Sequence, residues 1–320
     1  MAKAGDVEFF TGYAMPIFDC GDCGCRFTRH DNFAYERFYA EARSCYSRYL
    51  GQAERCKVLF DQADLAGLRA ELSGAGKYRL VIEELDCKPP DARVLEVGCS
   101  RGHLTSYFIL AGRTITGVDV SQSAIKAASK VFGGHFVVEG DPAIEAGAPY
   151  DAIYHVGTIG CVADPIEITR RLLGLLKPGG RLVFNAPNRE SCYLGDQLWI
   201  DSAPPPDVVT LFPPEFWRRH LSDSAEVHEE VELCRPERAV FVGLQKLARL
   251  RWRKPVPVPL SEGERVPASS VAYGDTLWRL LERVLRRAGK MSALFRIAPP
   301  QPTEFGLFVR MTKKPAAVHP

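Results

Sequence analysis

Three acids and two glycines hold most of the chemical information in this chain. Glu96 lies inside the apolar run "VLEVGCSRGHLT" (94–105), two residues before Gly98 and six before Gly102. Asp119 closes the apolar part of "ITGVDVS", and Asp141 lies in "VVEGDP". Each run reads as a strand with its acid at or near the carboxyl end, the edge of an open α/β sheet where ligands bind. Glycines at that edge let the backbone approach a ligand without a colliding Cβ. The G-x-x-x-G spacing of Gly98 and Gly102 departs from the G-x-G-x-x-G that cradles a dinucleotide's pyrophosphate. A carboxylate at Asp119 can accept hydrogen bonds from both ribose hydroxyls. One at Asp141 is placed to accept from an adenine amino group. A nucleoside with a cationic, amino-acid-like tail suits this acidic set. The plainer readings are a strand acid bonded to neighbouring backbone for Glu96 and helix or turn caps for Asp119 and Asp141.

The elements that must position these residues alternate. A helix is expected over 77–86, stopped at "CKPPD" because its prolines cannot continue it. Strands follow at 93–97, 114–119, 135–139, 151–156 and 181–185. Helices are expected at 102–111, at 121–131 from a Ser121 cap, and at 165–176 before "LKPGG". This rhythm implies a parallel sheet with helices on both faces. Residues 226–232 and 304–311 alternate as later strands. Residues 1–33 read as irregular and 34–73 as mostly helical. No internal repeat is present.

Composition fits one large domain, or one carrying extra segments: 320 residues, 46% hydrophobic and 25% charged. No apolar run approaches the ~20 residues that cross a bilayer, and "MAKAGDVEFF" has no apolar stretch of leader length. A cytoplasmic protein is expected, with most of the ten cysteines as thiols filling the core. The net charge of +2 conceals a basic stretch at 235–296, with 14 Lys and Arg against 5 Asp and Glu.

The five stretches "VLEVGCSRGHLT", "ITGVDVS", "VVEGDP", "YDAIYHVGTIGCVADP" and "LKPGGRLVFNAPN" follow one another in the order and spacing of a known core. Residues 94–188 resemble the class I S-adenosylmethionine-dependent methyltransferases, and "EFGLFVRMTKK" resembles their closing antiparallel strand. The resemblance implies an α/β fold: a Rossmann-like, doubly wound sheet, mostly parallel, with its last strand antiparallel. An amino-terminal segment and helical lid (1–76) would precede the methyltransferase domain (77–320), which carries a basic helical insertion at 235–302. The resemblance also implies S-adenosylmethionine as cofactor, held by Glu96, Gly98, Gly102, Asp119, Val120, Asp141, Pro142, Val156 and Thr158. The acid at Glu96 would order the turn and the methionine amino end. The acceptor would be a small molecule, a sugar or natural-product intermediate, methylated on oxygen or nitrogen.

The chain also departs from that family. Where many small-molecule O-methyltransferases carry an E-x-x-E-H-V pattern, it has Gly157, Gly160 and Cys161, so no base or metal ligand stands there. Thr158 and Cys161 are expected as pocket walls. Relatives often have a downstream His after a proline pair; here Asp207 takes that place and is the candidate general base. "FDCGDCGCRFT" resembles half of the zinc knuckle found before some sugar and natural-product methyltransferases. Cys20 and Cys23 make one C-x-x-C pair, and no cysteine precedes them. Cys25 and His30 are the remaining candidates for a fourfold site, and no metal is expected. Tyr35, Tyr39, Tyr46 and Tyr49 recur at roughly helical spacing, as a core stripe or as a lid over the cofactor. In the insertion, "DTLWRLLERVLRRAGK" reads as an amphipathic helix. Its Arg279, Arg283 and Arg286 would border the acceptor entrance and attract an anionic acceptor. Neither nucleic acid nor a transmembrane segment is expected. Two other readings remain open at this level: an inactive cofactor-binding scaffold that meets a partner through the basic insertion, and a nicotinamide-dependent oxidoreductase.

Overall fold

A computed structural model describes residues 1–10, 13–29, 47–191, 194, 198–200, 205, 208–233 and 303–315. Asp207, Tyr35, Tyr39, Tyr46 and the insertion with Arg279, Arg283 and Arg286 lie outside the described residues.

The chain opens with strands β1 (Ala2–Phe10), β2 (Tyr13–Asp19) and β3 (Arg26–Thr28). This corrects the irregular reading of 1–33. The period-two signal was thin: among the described side chains of β2 only Met15 and Ile17 are buried, and Pro16 sits between them. A proline inside a run argues against a strand, yet β1 and β2 pair as an antiparallel hairpin from Ala2↔Asp19 to Phe10↔Tyr13.

Helices α1 (Ser47–Asp61), α2 (Leu65–Ser73) and α3 (Gly76–Asp86) follow. Helix α3 buries Tyr78, Val81, Ile82 and Leu85, which share one face at three- and four-residue spacing. Then come β4 (Arg93–Val97), α4 (Thr105–Leu110), β5 (Thr114–Asp119), α5 (Gln122–Phe132), β6 (Phe136–Val138) and α6 (Ala143–Ala146). They lead to β7 (Tyr150–Val156), α7 (Pro165–Gly174) and β8 (Leu176–Pro187). Last are β9 (Thr210–Leu211), α8 (Phe216–Leu221), β10 (Ala225–Leu233) and β11 (Thr303–Lys313).

Local chemistry explains the helix ends. Ser121 Oγ accepts from the Ala124 N–H at 3.2 Å to cap α5, and Asp164 Oδ1 accepts from Glu167 N–H at 2.9 Å to cap α7. Helix α4 begins later than the sequence suggested. Gly102 has φ +74°, outside the helical region, so the turn after β4 runs on to Leu104.

Among the described residues, seven strands form one sheet in the order β10-β11-β8-β7-β4-β5-β6. Strands β6, β5, β4, β7 and β8 are parallel, and β11 runs antiparallel to both β8 and β10. Both faces are covered, as parallel strands require. Val94, Ile115, Ala152 and Tyr154 face α2, α3 and α4, while Leu95, Val118, Ile153 and Phe184 face α7 and α8. From β4 the chain winds outward through β5 and β6, then returns to build β7 and β8 on β4's other side. The switch point therefore lies between β4 and β7, and the crevice outside their carboxyl ends is the place for a ligand.

A second sheet has the order β1-β2-β3-β9. It joins the switch point through backbone bonds. Thr28 N–H donates to Val209 O at 3.0 Å, and Val209 N–H to Gly160 O at 2.7 Å. Asp19 holds Arg26 at 2.8 and 2.9 Å, and Arg189, just beyond β8, pairs with the same carboxylate at 3.3 Å. The Arg26 guanidinium holds the Asp19 carboxyl below its ordinary range.

Candidate functional site

Strand β4 delivers Glu96 to the bottom of the crevice, on the face toward α4. Glu96 is buried, accepting from Tyr154 OH at 2.8 Å and from the hydroxyl of Thr105, the first residue of α4. The carboxylate thus ties β4, α4 and β7 together under the turn. Burial pushes its pKa up to about 7, against the pull of the two hydroxyl donors.

A raised carboxyl makes a testable statement about stability. The ordinary value is 4.5 and the folded value about 7, so the folded state holds the proton more tightly. The resulting stabilisation is complete below the unfolded value and is lost as pH rises through about 7. Glu96→Gln keeps an oxygen acceptor and has no charge to bury. Its stability relative to the parent is expected to improve by about 2–3 kcal/mol between pH 5 and pH 8. Denaturant unfolding at both pH values measures this, and a pH-independent difference would remove the buried charge from the argument.

The turn after β4 is shaped by its glycines. Gly98 has φ +75°, and a Cβ there would overlap Thr158 Oγ1 and stand 3.1 Å from its Cγ2. Thr158 donates to Val97 O at 3.2 Å, so the two strand-end loops lock across the switch point. A Cβ on Gly102 would meet Phe136 Cζ at 2.5 Å and Ala128 Cβ at 3.2 Å. Absence of a side chain at Gly102 lets the turn settle on β6 and α5.

Strand β5 ends at Asp119. Its Oδ2 accepts from Ser100 N–H at 2.8 Å and its Oδ1 from Ser121 N–H at 2.9 Å, which orients the carboxylate at the crevice. Beside it, Val120 is 59% exposed, an unusual setting for a large apolar side chain. Asp141, beyond β6, accepts from Ala143 N–H at 2.8 Å. It therefore acts as a local turn cap, as the plainer sequence reading allowed. Pro142 leads into α6, and Val156 ends β7, half-buried. The structure brings Glu96, Gly98, Gly102, Asp119, Val120, Val156 and Thr158 to one sheet edge, with Asp141 and Pro142 at the end of the neighbouring β6.

Sequence reasoning missed a basic and imidazole pair at this edge. Lys77, at the start of α3, has its ammonium 3.9 Å from where a Gly157 Cβ would stand and 5.2 Å from the Tyr78 ring centre. Tyr78 OH and His103 Nε2 are 2.8 Å apart. Burial, with Lys77 nearby, pushes the His103 pKa down to about 4, so the imidazole is neutral at pH 7. The available signal was a lysine in the helix's first turn, where a cation is unfavourable for the macrodipole. His155 is different. It stacks on Phe184 at 4.5 Å, and neither ring nitrogen has a partner among the described residues. Burial pushes its pKa down to about 3, and it faces α7 and α8, away from the Glu96 side of the sheet.

Just beyond β7, Gly157 N–H donates to Asn185 Oδ1 at 2.9 Å and Cys161 Sγ to Gly157 O at 3.6 Å. Among the described residues, no group of three or more His, Cys, Asp or Glu is placed to hold a metal ion. None of their helices is long and apolar enough to cross a membrane.

A doubly wound sheet binds ligands in the crevice outside the carboxyl ends of its strands, and here acids lie at or near three successive strand ends. Comparison with known proteins agrees. Residues 65–225 match the model of a family described as a methyltransferase domain. A ubiquinone biosynthesis O-methyltransferase of Xanthomonas axonopodis pv. citri is 30% identical over 137 residues, covering 39% of this chain and 56% of that protein. The one of Chromobacterium violaceum is 30% identical over 172 residues, covering 50% of this chain and 68% of that protein. A solved S-adenosylmethionine-dependent methyltransferase of Archaeoglobus fulgidus has a TM-score of 0.41 at 20% identity, covering 74% of this chain and 94% of that one. The chain spans about half the length of several of the curated relatives it matches. It belongs to the S-adenosylmethionine-dependent methyltransferase family, and S-adenosylmethionine is the family's cofactor. The residues present fit that cofactor: a carboxylate for the diol, an exposed apolar neighbour for the purine and a cation for the methionine carboxylate.

Proposed function

We propose that this chain binds S-adenosylmethionine across the carboxyl ends of β4, β5 and β7 and methylates a small-molecule acceptor, through a hydroxyl oxygen in the first instance. One observation carries the reading: oriented Asp119, exposed Val120, left-handed Gly98 and Gly102, and Lys77 share one sheet edge. Asp119 accepts from the ribose hydroxyls and Val120 lies against the purine. Asp141 and Pro142 flank the purine's amino edge. Gly98, Gly102, Val156 and Thr158 line the methionine arm, with Lys77 against its carboxylate. Glu96, beneath, favours the arm's positive charges. When bound, the cofactor supplies a methyl group already activated by its sulfonium, so placing the acceptor in line provides much of the rate.

The hydroxyl acceptor is supported by relatives that carry O-methyltransferase names. A sugar or natural-product acceptor rests on the knuckle-like segment alone. Asp207 is the proposed general base. It adjoins Val208, which is buried, and the next residue, Val209, bonds to Gly160 at the acceptor side. The acceptor-side glycines supply no base of their own.

Calorimetry with S-adenosylmethionine, followed by mass spectrometry of S-adenosylhomocysteine formed with a panel of small phenols, sugars and amines, tests the proposal. Cofactor binding with turnover on a hydroxyl acceptor is expected. No binding would sink the proposal, and binding without turnover on any acceptor would point to a scaffold. Lys77→Met is expected to weaken S-adenosylmethionine binding about fivefold and to leave adenosine binding unchanged. Equal losses for both ligands would remove Lys77 from the carboxylate.

A further inference from the structure

The turn between β2 and β3 holds three cysteines that the methyl-transfer site does not use. Residues 21–23 form the turn, closed by Gly24 N–H to Cys20 O at 3.0 Å and by Cys20 N–H to Cys25 O at 2.9 Å. An i→i+4 turn of this kind folds its first and fourth residues back toward one another, and a disulfide needs its two residues close in space. Cys20 and Cys23 are the first and fourth residues of this loop, so both thiols sit on one short, backbone-bonded turn. Cys20 and Cys23 are partly exposed, whereas Cys25 is buried in the core. The turn is anchored from the methyltransferase side: Arg189 donates to Gly24 O and pairs with Asp19, next to Cys20.

We propose that Cys20 and Cys23 form a reversible disulfide by exchange with a low-molecular-weight disulfide such as oxidised glutathione. The reading is independent of the methyl-transfer proposal. The donors around Cys20 favour its thiolate, the form that attacks, and lower its pKa from the ordinary thiol value. Cys20 Sγ attacks one glutathione sulfur; a mixed disulfide forms and one glutathione leaves as thiolate. Cys23 then gives up its proton to solvent and attacks Cys20 Sγ, releasing the second glutathione. In balance, two protein thiols are oxidised and one glutathione disulfide is reduced to two glutathiones. Cys25 takes no part, because burial, and then the neighbouring cysteines, push its thiol well up.

The test equilibrates the folded, full-length protein with glutathione buffers from reducing to oxidising, blocks the remaining thiols and maps cysteines by peptide mass spectrometry. Oxidising buffers are expected to leave a Cys20–Cys23 disulfide with no glutathione attached. Exposed Cys87 should instead retain glutathione, while buried Cys25, Cys56 and Cys99 stay reduced. Cys23→Ser is expected to trap glutathione on Cys20, released again by dithiothreitol. The proposal is overturned if Cys20 and Cys23 stay reduced at every ratio, if Cys20 pairs with another cysteine, or if Cys23→Ser leaves Cys20 unmodified. It is overturned equally if the purified protein holds zinc at these thiols and chelation is needed before they react. None of these readings depends on methyl transfer.

Discussion

Asp119→Ala is expected to weaken S-adenosylmethionine binding by about 10- to 150-fold, the equivalent of losing charge-assisted bonds worth roughly 1.5–3 kcal/mol. The carboxylate is oriented before any ligand arrives, because the Ser100 and Ser121 N–H groups hold its two oxygens at 2.8 and 2.9 Å. Each carboxylate oxygen accepts more than one bond, so ribose hydroxyls add to these donors without replacing them. The substitution also leaves two backbone N–H groups short of an acceptor, so part of the loss comes through the turn. Asp119→Asn separates the contributions. It retains one acceptor oxygen and is expected to bind between the parent and the alanine variant. Calorimetry on variants with parental circular dichroism measures both. An alanine variant with parental affinity would place the ribose elsewhere.

The second large effect belongs to Gly98. Gly98→Ala is expected to cost about 2–5 kcal/mol of stability and to abolish measurable cofactor binding. Two independent costs add. A residue with a Cβ pays about 1–2 kcal/mol at φ +75°, and the new methyl overlaps Thr158 Oγ1. Overpacking of that kind typically costs a further 1–3 kcal/mol or so. Thr158→Ala removes the overlapping oxygen and the Cγ2, leaving the backbone strain untouched. The double variant is therefore expected to recover about 1–3 kcal/mol relative to Gly98→Ala alone. A double-mutant cycle from denaturant unfolding reads the coupling. If the two changes merely add, the strand-end loops do not lock through this contact.

The two effects depend on different levels of the fold. Asp119 acts from the end of its own strand, and its donors lie close by in sequence or on the adjacent turn. Gly98 matters because β7 brings Thr158 back beside it sixty residues later. The first dependence was visible as a pattern of residue types, and the second needed the sheet order.

The same division runs through the molecule. Local chemistry in the sequence was enough to determine the helix start at Ser121, the stop at "CKPPD" and the parallel core from β4 to β8. It also placed Glu96 within β4 and Asp119 at the carboxyl end of β5, because strand alternation and strand-end acids are short-range signals. Tertiary structure alone decided what those residues touch. Glu96 meets Tyr154, 58 positions away, and its raised pKa follows from a burial that strand assignment cannot supply. Lys77 reaches the switch point only because α3 packs across it. The first sheet was illegible because β2 contains Pro16, and because β3 takes β9 as a neighbour from more than 180 residues along the chain. The physical reason is the same in each case. Hydrogen bonding and side-chain periodicity within a segment leave a local imprint, whereas long-range pairing, burial and close contact depend on which segments the completed core brings together.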